Sequence, residues 1–450
     1  SQATMFSTAD TIVAIATPPG RGAIGVVRLS GPEAHAVART LCFADTPLAP
    51  RHATFTRVRT TACVVDQVLI TFFPAPHSYT GDDVVEVSAH GSPVILGAIV
   101  SAAVMAGARL AEPGEFTLRA YLNNRVDLPQ AEAVADLIEA VTPLQARVAF
   151  DQLEGTLTGR IGELDRMLFD LIARLEASVD FPEEGYHFVA PTEVVALLDD
   201  LLRKVSTLLA DGRRGRLIRE GLQVAIVGKP NVGKSSLFNA LAGAERAIVT
   251  PVAGTTRDLV TETVDIGGLR ATLIDSAGIR STDDVVEAIG VDFARKAMHA
   301  ADVLLVVVDA SQRLDEVDAA ILHETRERRR VIAANKSDIS DAHAGAFLRV
   351  SATQGDGLDA LRDELGRALD VDVTRDRPSI TNLRHLTLME QAGEALARAR
   401  RSVVDAGASL SEEFVLVDLQ CARRMFEEIS GKRSPEDVLA NIFSRFCVGK

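Results

Sequence analysis

The sequence predicts a multidomain chain, α/β plus all-α. It has a mixed α/β segment, a helical bundle built from two separated stretches, and an inserted α/β domain with a parallel sheet. Three observations carry this. The apolar spacing turns helical at Leu128, alternates between strand and helix from Leu222, and returns to helix from Ile380. The 450 residues allow two to three domains of roughly 100–200 each. Charge divides along the same lines, with net 0 over 1–126, −8 over 127–220, −7 over 221–372 and +1 over 373–450.

In the first segment Thr11–Ala16, Ile24–Leu29, Val68–Phe73 and Val84–Ser88 are short β-rich runs bounded by Gly and Pro, as in Pro18-Pro19-Gly20. Pro93 to Ala106 reads as a helix that Gly107 stops. Beyond Leu128, Ala131, Val134, Ala135, Ile138 and Val141 recur at helical spacing, as do Leu164, Leu168, Leu171, Ile172 and Leu175. Phe181-Pro182 breaks this run, and a further helix spans Thr192 to Ala210. The apolar runs Leu222–Val227, Ala271–Ile274, Val303–Val308, Val331–Ala334 and Leu348–Ser351 alternate with helices, which argues for a parallel sheet covered on both faces. Leu386 to Val404 and Glu413 to Ile429 are the long helices of the last segment. The domains expected are 1–126, 127–220, 221–373 and 374–450, with the second and fourth packing as one bundle.

Composition excludes several classes. With 47% hydrophobic and 24% charged residues the chain is globular rather than disordered. Its net charge of −14 disfavours a general nucleic-acid binder. Cys42, Cys63, Cys421 and Cys447 form no C-x-x-C pair, so neither a zinc knuckle nor a disulfide framework is expected. No run reaches the ~20 apolar residues of a membrane span and no leader is visible, so a cytoplasmic location is expected.

Gly228-Lys-Pro-Asn-Val-Gly233-Lys234-Ser235 fits G-x-x-x-x-G-K-[ST] between a strand and a helix. Glycines let backbone N–H groups wrap a phosphate at a helix N-terminus. Lys234 is expected to bridge the β- and γ-phosphates and Ser235 to ligate Mg²⁺. Asp275-Ser276-Ala277-Gly278 follows a strand, so Asp275 reaches the Mg²⁺ shell through water and the Gly278 N–H senses the γ-phosphate. In Asn335-Lys336-Ser337-Asp338 the Asp338 carboxylate can accept from guanine N1 and its 2-amino group, donors that adenine lacks. Asn335 and Lys336 brace the base and the phosphate loop, and Ser351-Ala352 closes the base pocket. The four motifs in order, each at a strand end, imply an inserted Ras-like P-loop GTPase domain.

Ile279 occupies the position after the D-x-x-G motif, where Ras-type enzymes carry a water-orienting Gln. Asp283, Asp284 and Glu287 are the candidate replacements. Thr250-Pro251-Val252-Ala253-Gly254-Thr255-Thr256 reads as a switch loop in which Thr256 can complete the Mg²⁺ shell. The Asn231 amide, with carbonyls of the 250–255 loop, could hold a monovalent cation where an arginine finger otherwise acts, and Arg257 is the alternative source of that charge.

These blocks resemble the MnmE (TrmE) tRNA-modification GTPase family. The resemblance extends to Thr11-Ile-Val-Ala, Thr17-Pro-Pro-Gly-Arg-Gly22, Tyr79-Thr-Gly-Asp-Asp83, Glu112-Pro-Gly-Glu-Phe116, Gln130-Ala-Glu-Ala-Val-Ala-Asp136 and the closing Phe446-Cys-Val-Gly-Lys450. It implies an N-terminal folate-binding domain that dimerises, a helical domain from two segments and an inserted G domain. It implies K⁺-stimulated GTP hydrolysis through pairing of G domains in a homodimer. An FAD-dependent MnmG-like partner is implied too: together the two place an aminomethyl or carboxymethylaminomethyl group on C5 of the tRNA wobble uridine, using a tetrahydrofolate one-carbon unit.

 The assembly implied is a heterotetramer of the two proteins.

The same resemblance assigns residues. Nucleotide contacts are implied for Asn231, Val232, Gly233, Lys234, Ser235, Ser236, the 250–256 loop, Asp275 to Gly278, Asn335, Lys336, Asp338, Ser351 and Ala352. Asn231 with Thr250, Val252 and Thr255 matches the K⁺ ligands, Ser235 and Thr256 the Mg²⁺ ligands, and Glu287 the water-positioning acid. Arg28, Glu86, Arg125 and Lys450 match the contacts to a 5-formyl- or methylene-tetrahydrofolate, and Cys447 a Cys proposed to act in modification. Arg125 stands where Lys is usual, so a fork replaces a point charge, and Ser276 stands where Thr is common. A carboxylate such as Glu86 can read the pterin edge in a bidentate way, and a glutamate tail suits Arg. The acidic chain is reconciled with tRNA if the partner supplies most phosphate contacts. Two other readings compete: a ribosome-assembly switch of the Era type, and a folate enzyme that GTP regulates. The +1 helical final segment and the 220 residues before the G motifs weigh against the first.

Overall fold

The computed structural model describes residues 8–42, 48–59, 63–180, 190–244, 261–266, 269–275, 301–340, 342, 347–368, 378–406 and 412–450. The chain forms two compact units: Ser1–Ala135, Leu153–Asp165 and Arg423–Lys450, and then Asp136–Gln152 with Arg166–Ala422. Among the described residues no helix is long and apolar enough to cross a membrane.

The first unit is built on six strands: β1 (Ile12–Ile15), β2 (Gly22–Ser30), β3 (Thr54–Arg59), β4 (Val64–Phe73), β5 (Val84–Gly91) and β6 (Arg109–Leu110). Their order is β3-β4-β5-β2-β1-β6, antiparallel except for the parallel pair β1 and β6. Side chains alternate across the pleat. Val27, Leu29, Val68, Ile70, Val85 and Val87 therefore share a core with helices Ala34–Leu41 and Pro93–Met105. The opposite face carries the row Ala14, Arg28, Glu86 and Thr71 in direct register. At β1, Ile12 and Ala14 pack on Phe116 from helix Glu115–Leu122. That helix and Leu128, Ala131 and Val134 also bury Leu439, Phe443 and Phe446. The last residues are thereby held against the Arg28 face.

The second unit contains β7 (Leu222–Val227), β8 (Thr261–Ile266), β9 (Leu269–Asp275), β10 (Val303–Asp309), β11 (Arg330–Asn335) and β12 (Leu348–Arg349), in the order β12-β11-β10-β7-β9-β8. Both faces of the central strands are buried: Val224, Ile226, Leu305 and Val307 lie in one core, and Ala225, Val227, Leu304 and Val306 in another. This double burial explains the continuous apolar runs of the central strands. Leu144 and Val148 of helix Pro143–Leu153 join the first of these cores. Helix Pro191–Glu220 approaches the chain at Ile380 so closely that a Cβ on Gly215 would lie 1.9 Å from the Ile380 carbonyl oxygen.

The parallel-sheet expectation needs one amendment, because β8 runs antiparallel to β9. Strands β3, β6 and β8 and helices Ala34–Leu41, Glu115–Leu122 and Glu436–Phe443 have no counterpart in the sequence reading. β3 and β8 are edge strands rich in Thr and charge, so neither gives an apolar run. The helix expected over Thr192 to Ala210 continues to Glu220, through a basic stretch with few apolar residues. Phe181-Pro182 lies outside the described residues.

Candidate functional site

In the second unit the loop between β7 and helix Lys234–Ala244 turns through positive φ at Gly228 (155°), Asn231 (65°) and Gly233 (93°). Two of these positions also require the absence of a side chain. A Cβ on Gly228 would lie 2.3 Å from the Val307 carbonyl oxygen, and one on Gly233 would lie 2.3 Å from Asn335 Nδ2. Lys234 is buried and folds back on the loop, its Nζ donating to the carbonyls of Gly228 (2.8 Å) and Lys229 (2.9 Å). Ser235 and Ser236 are exposed at the opening of the helix, where N–H groups and the helix dipole favour an anion.

The strand ends beside this loop are tied to it. Buried Asn335 donates from Nδ2 to the Val232 carbonyl (2.9 Å) and accepts the Ala352 amide on Oδ1 (3.0 Å). Lys336 Nζ donates to the Asn231 carbonyl (2.8 Å) and to Asp309 Oδ2 (2.7 Å). Burial pushes the Asp309 carboxyl up, but Lys336 and Ser311 outweigh it and leave the group below its usual value. The exposed Asp338 carboxylate is oriented by the buried Ser351, whose Oγ donates to Oδ1 at 2.7 Å. Thus Asn231 to Lys234, Asn335, Lys336, Asp338, Ser351 and Ala352 converge at the carboxyl ends of β7, β11 and β12. Asp275 closes β9 at the same edge of the sheet. Thr250 to Thr256, Ser276, Ala277, Gly278, Asp283, Asp284, Glu287 and Arg257 lie outside the described residues.

Two contacts at this loop escape the motifs. Asp309 ends β10 and anchors Lys336, although nothing in its local sequence sets it apart. Lys229 reaches across to Asp315 and Asp318. Hydrogen bonds to these two carboxylates hold its ammonium up at about 12.

The first unit carries a second constellation. Arg28 and Glu86 are directly opposed on β2 and β5, and Arg28 Nε and Nη2 both lie 2.8 Å from Glu86 Oε1. Arg28 Nη1 donates to the Gly449 carbonyl at 3.2 Å. The guanidinium carbon lies 5.5 Å from the centre of the Tyr79 ring and 5.7 Å from that of Phe116. Gly449, at φ 97°, passes so close to β1 that a Cβ would lie 2.4 Å from the Ile15 carbonyl oxygen. Burial lowers the Lys450 ammonium, the Arg28 charge adds to that, and Glu86 opposes both. Arg28, Glu86 and Lys450 therefore come together. Arg125 sits at the end of helix Glu115–Leu122, beside Gly81 in the loop that carries Tyr79. Cys447 is exposed, and its carbonyl accepts the Gly114 amide.

Sequence reasoning passed over Tyr79, Phe116 and Gly449 as individual contributors, and also the network beneath them. Arg119, 1% exposed, reaches Asp10 Oδ1 (2.5 Å) and Glu115 Oε1 (2.9 Å). Arg109 bridges the same two carboxylates. Burial pushes Glu115 up, but Arg109, the Glu112 amide and Arg119 outweigh it and leave the carboxyl lowered.

Comparison with known proteins bears on both constellations. Residues 11–125 match the family described as "GTP-binding protein TrmE N-terminus", and residues 128–447 match "MnmE helical domain". The chain belongs to the MnmE family of tRNA modification GTPases. It is 43% identical to the tRNA modification GTPase MnmE of Koribacter versatilis, over 98% of this chain and 99% of that one. Identity to the Aquifex aeolicus protein is 42%, over 98% and 100%. Identity to the Neisseria meningitidis serogroup B protein is 43%, over 99% and 100%. The MnmE likeness thus spans both the phosphate-loop unit and the Arg28 unit.

Proposed function

We propose that this chain hydrolyses GTP while modifying tRNA in the cytoplasm. With an FAD-dependent MnmG-like partner it installs an aminomethyl or carboxymethylaminomethyl group on C5 of the wobble uridine, drawing the one-carbon unit from a tetrahydrofolate. The observation that carries the GTP reading is the phosphate loop with Lys234 folded into it and Asn335, Lys336 and Asp338 ranged along its rim. Backbone N–H groups at the start of helix Lys234–Ala244 would receive the phosphates. Asp338, oriented by Ser351, would read the guanine edge. Ser235 and Thr256 would hold Mg²⁺. Asn231 with Thr250, Val252 and Thr255 would hold K⁺, whose charge would face the phosphates, and Glu287 would orient water.

The folate reading is supported by the Arg28 and Glu86 pair under the aromatic rings of Tyr79 and Phe116, with Lys450 beside it. Glu86 would accept from the pterin, while Arg28, Arg125 and Lys450 supply cations for the acidic tail. Cys447 would act in the modification step. A homodimer formed through the first unit is supported by Phe55 and Leu69, directly opposed on β3 and β4 and 67% and 47% exposed. The four domain segments 1–126, 127–220, 221–373 and 374–450 belong to the same reading.

The test is GTP turnover in K⁺ and in Na⁺ at equal ionic strength, for wild type and Asn231→Ala. Stimulation by K⁺ that the variant loses is the expected result. Equal, slow turnover in both salts would remove the cation mechanism and favour a switch that needs an external activator.

A further inference from the structure

The phosphate loop is gripped on both arms. Lys336 holds the Asn231 carbonyl and Asn335 holds the Val232 carbonyl, so the second arm is tied to β11. The first arm, Gly228 to Pro230, is held differently. Lys229 Nζ donates to Asp315 Oδ2 at 2.9 Å and to Asp318 Oδ2 at 2.7 Å. Both carboxylates are already fixed by the start of helix Glu316–Glu324. Asp315 Oδ1 accepts the amides of Val317 and Asp318 (both 3.0 Å), and Asp318 Oδ2 accepts the Asp315 amide at 3.3 Å. Asp318 is buried, and its Oδ1 has no hydrogen-bond partner. Lys229 is therefore the cation that this buried carboxylate faces.

The same residue serves the loop through its backbone. The Lys229 carbonyl, like that of Gly228, accepts from Lys234 Nζ. A connected path runs from the cap of helix Glu316–Glu324, through the Lys229 side chain and carbonyl, to the Lys234 ammonium. If the first arm swung outward, Lys234 would lose an acceptor and its aim into the loop.

We propose that Lys229 is a positioning residue for the nucleotide: its ion pair with Asp315 and Asp318 holds the first arm of the phosphate loop in the receiving shape and slows nucleotide release. The inference rests on the reading of residues 228–235 as the phosphate loop. Lys229 touches no reacting atom in this account and acts only through the loop backbone and Lys234.

The experiment follows release of a fluorescent GDP from the full chain by stopped flow, with melting temperature measured in parallel. Lys229→Met and Asp318→Asn are each expected to speed release about tenfold, as when one charge-assisted hydrogen bond is lost. Lys229→Arg keeps the cation and is expected to stay near wild type. The double variant Lys229→Met with Asp318→Asn is the decisive arm. It removes the buried charge together with its partner, so melting recovers toward wild type while release stays as fast as in the worse single variant. Release that recovers along with melting would overturn the proposal, because the effect would then be one of stability alone. Unchanged release in Lys229→Met would overturn it as well. A wild-type chain that fails to bind the GDP probe would instead overturn the nucleotide reading itself.

Discussion

Asn335 joins the loop that follows β7 to Ala352 through one side chain. Replacing it with Ala removes the Nδ2 bond to the Val232 carbonyl and the Oδ1 bond from the Ala352 amide. Each net bond is worth about 1 kcal/mol, and each orphaned buried partner costs about 1–3 kcal/mol. For the two partners together the low end, about 2 kcal/mol, corresponds to roughly 30-fold weaker GTP binding if the bound state alone needs the bridge. Asn335→Asp is a sharper variant. It keeps the acceptor for Ala352 and sets a carboxylate oxygen against the Val232 carbonyl, so it should bind no better than the Ala variant. The assay is equilibrium titration with a fluorescent GTP analogue, with melting followed without nucleotide. Affinities of both variants within threefold of wild type would refute the argument that this bridge shapes the loop.

Other expectations concern both units. Arg119→Met leaves Asp10 and Glu115 with one guanidinium fewer and should destabilise the first unit by about 3 kcal/mol. The urea midpoint reads this, and Arg119→Lys, which lacks the fork, should recover only part of the loss. Because the Asp309 carboxyl is lowered in the folded chain, its contribution is complete above the unfolded value of about 4 and is lost as pH falls through the lower folded value. The melting difference between wild type and Asp309→Asn should thus hold from neutral pH to about pH 4 and shrink below it. A difference that already shrinks at about pH 6 would point to another group. Burial pushes the Cys42 thiol up to about 12, so brief alkylation at neutral pH should leave it intact while exposed Cys63 and Cys447 react, as read by peptide mass spectrometry.

What the sequence made legible was local. The phosphate loop is eight consecutive residues whose glycines and lysine answer to one turn and one helix start, and spacing alone identifies them. The central strands of the second unit read clearly because burial on both faces leaves unbroken apolar runs such as Val303–Val308. Edge strands β3 and β8 did not, since Thr and charged residues interrupt the apolar signal in both. Contacts set by register were invisible. Arg28 and Glu86 are 58 residues apart and meet only because β2 and β5 pair as they do. The Arg119 network reads in sequence as ordinary surface charge, and only its burial between β1 and helix Glu115–Leu122 gives it a task. Asn335 was expected to brace the base and the phosphate loop, but the groups it holds, the Val232 carbonyl and the Ala352 amide, are not legible in the motif.

The Gly449 carbonyl that meets Arg28 lies 421 residues along the chain from it. During synthesis the ribosome will have made every strand of both sheets before this last contact can form. A transcript cut short within the final helix would yield a chain with its phosphate loop fully encoded and its Arg28 cradle open on one side. The few residues from Cys447 to Lys450 thus decide whether the carbonyl that Arg28 meets is present at all.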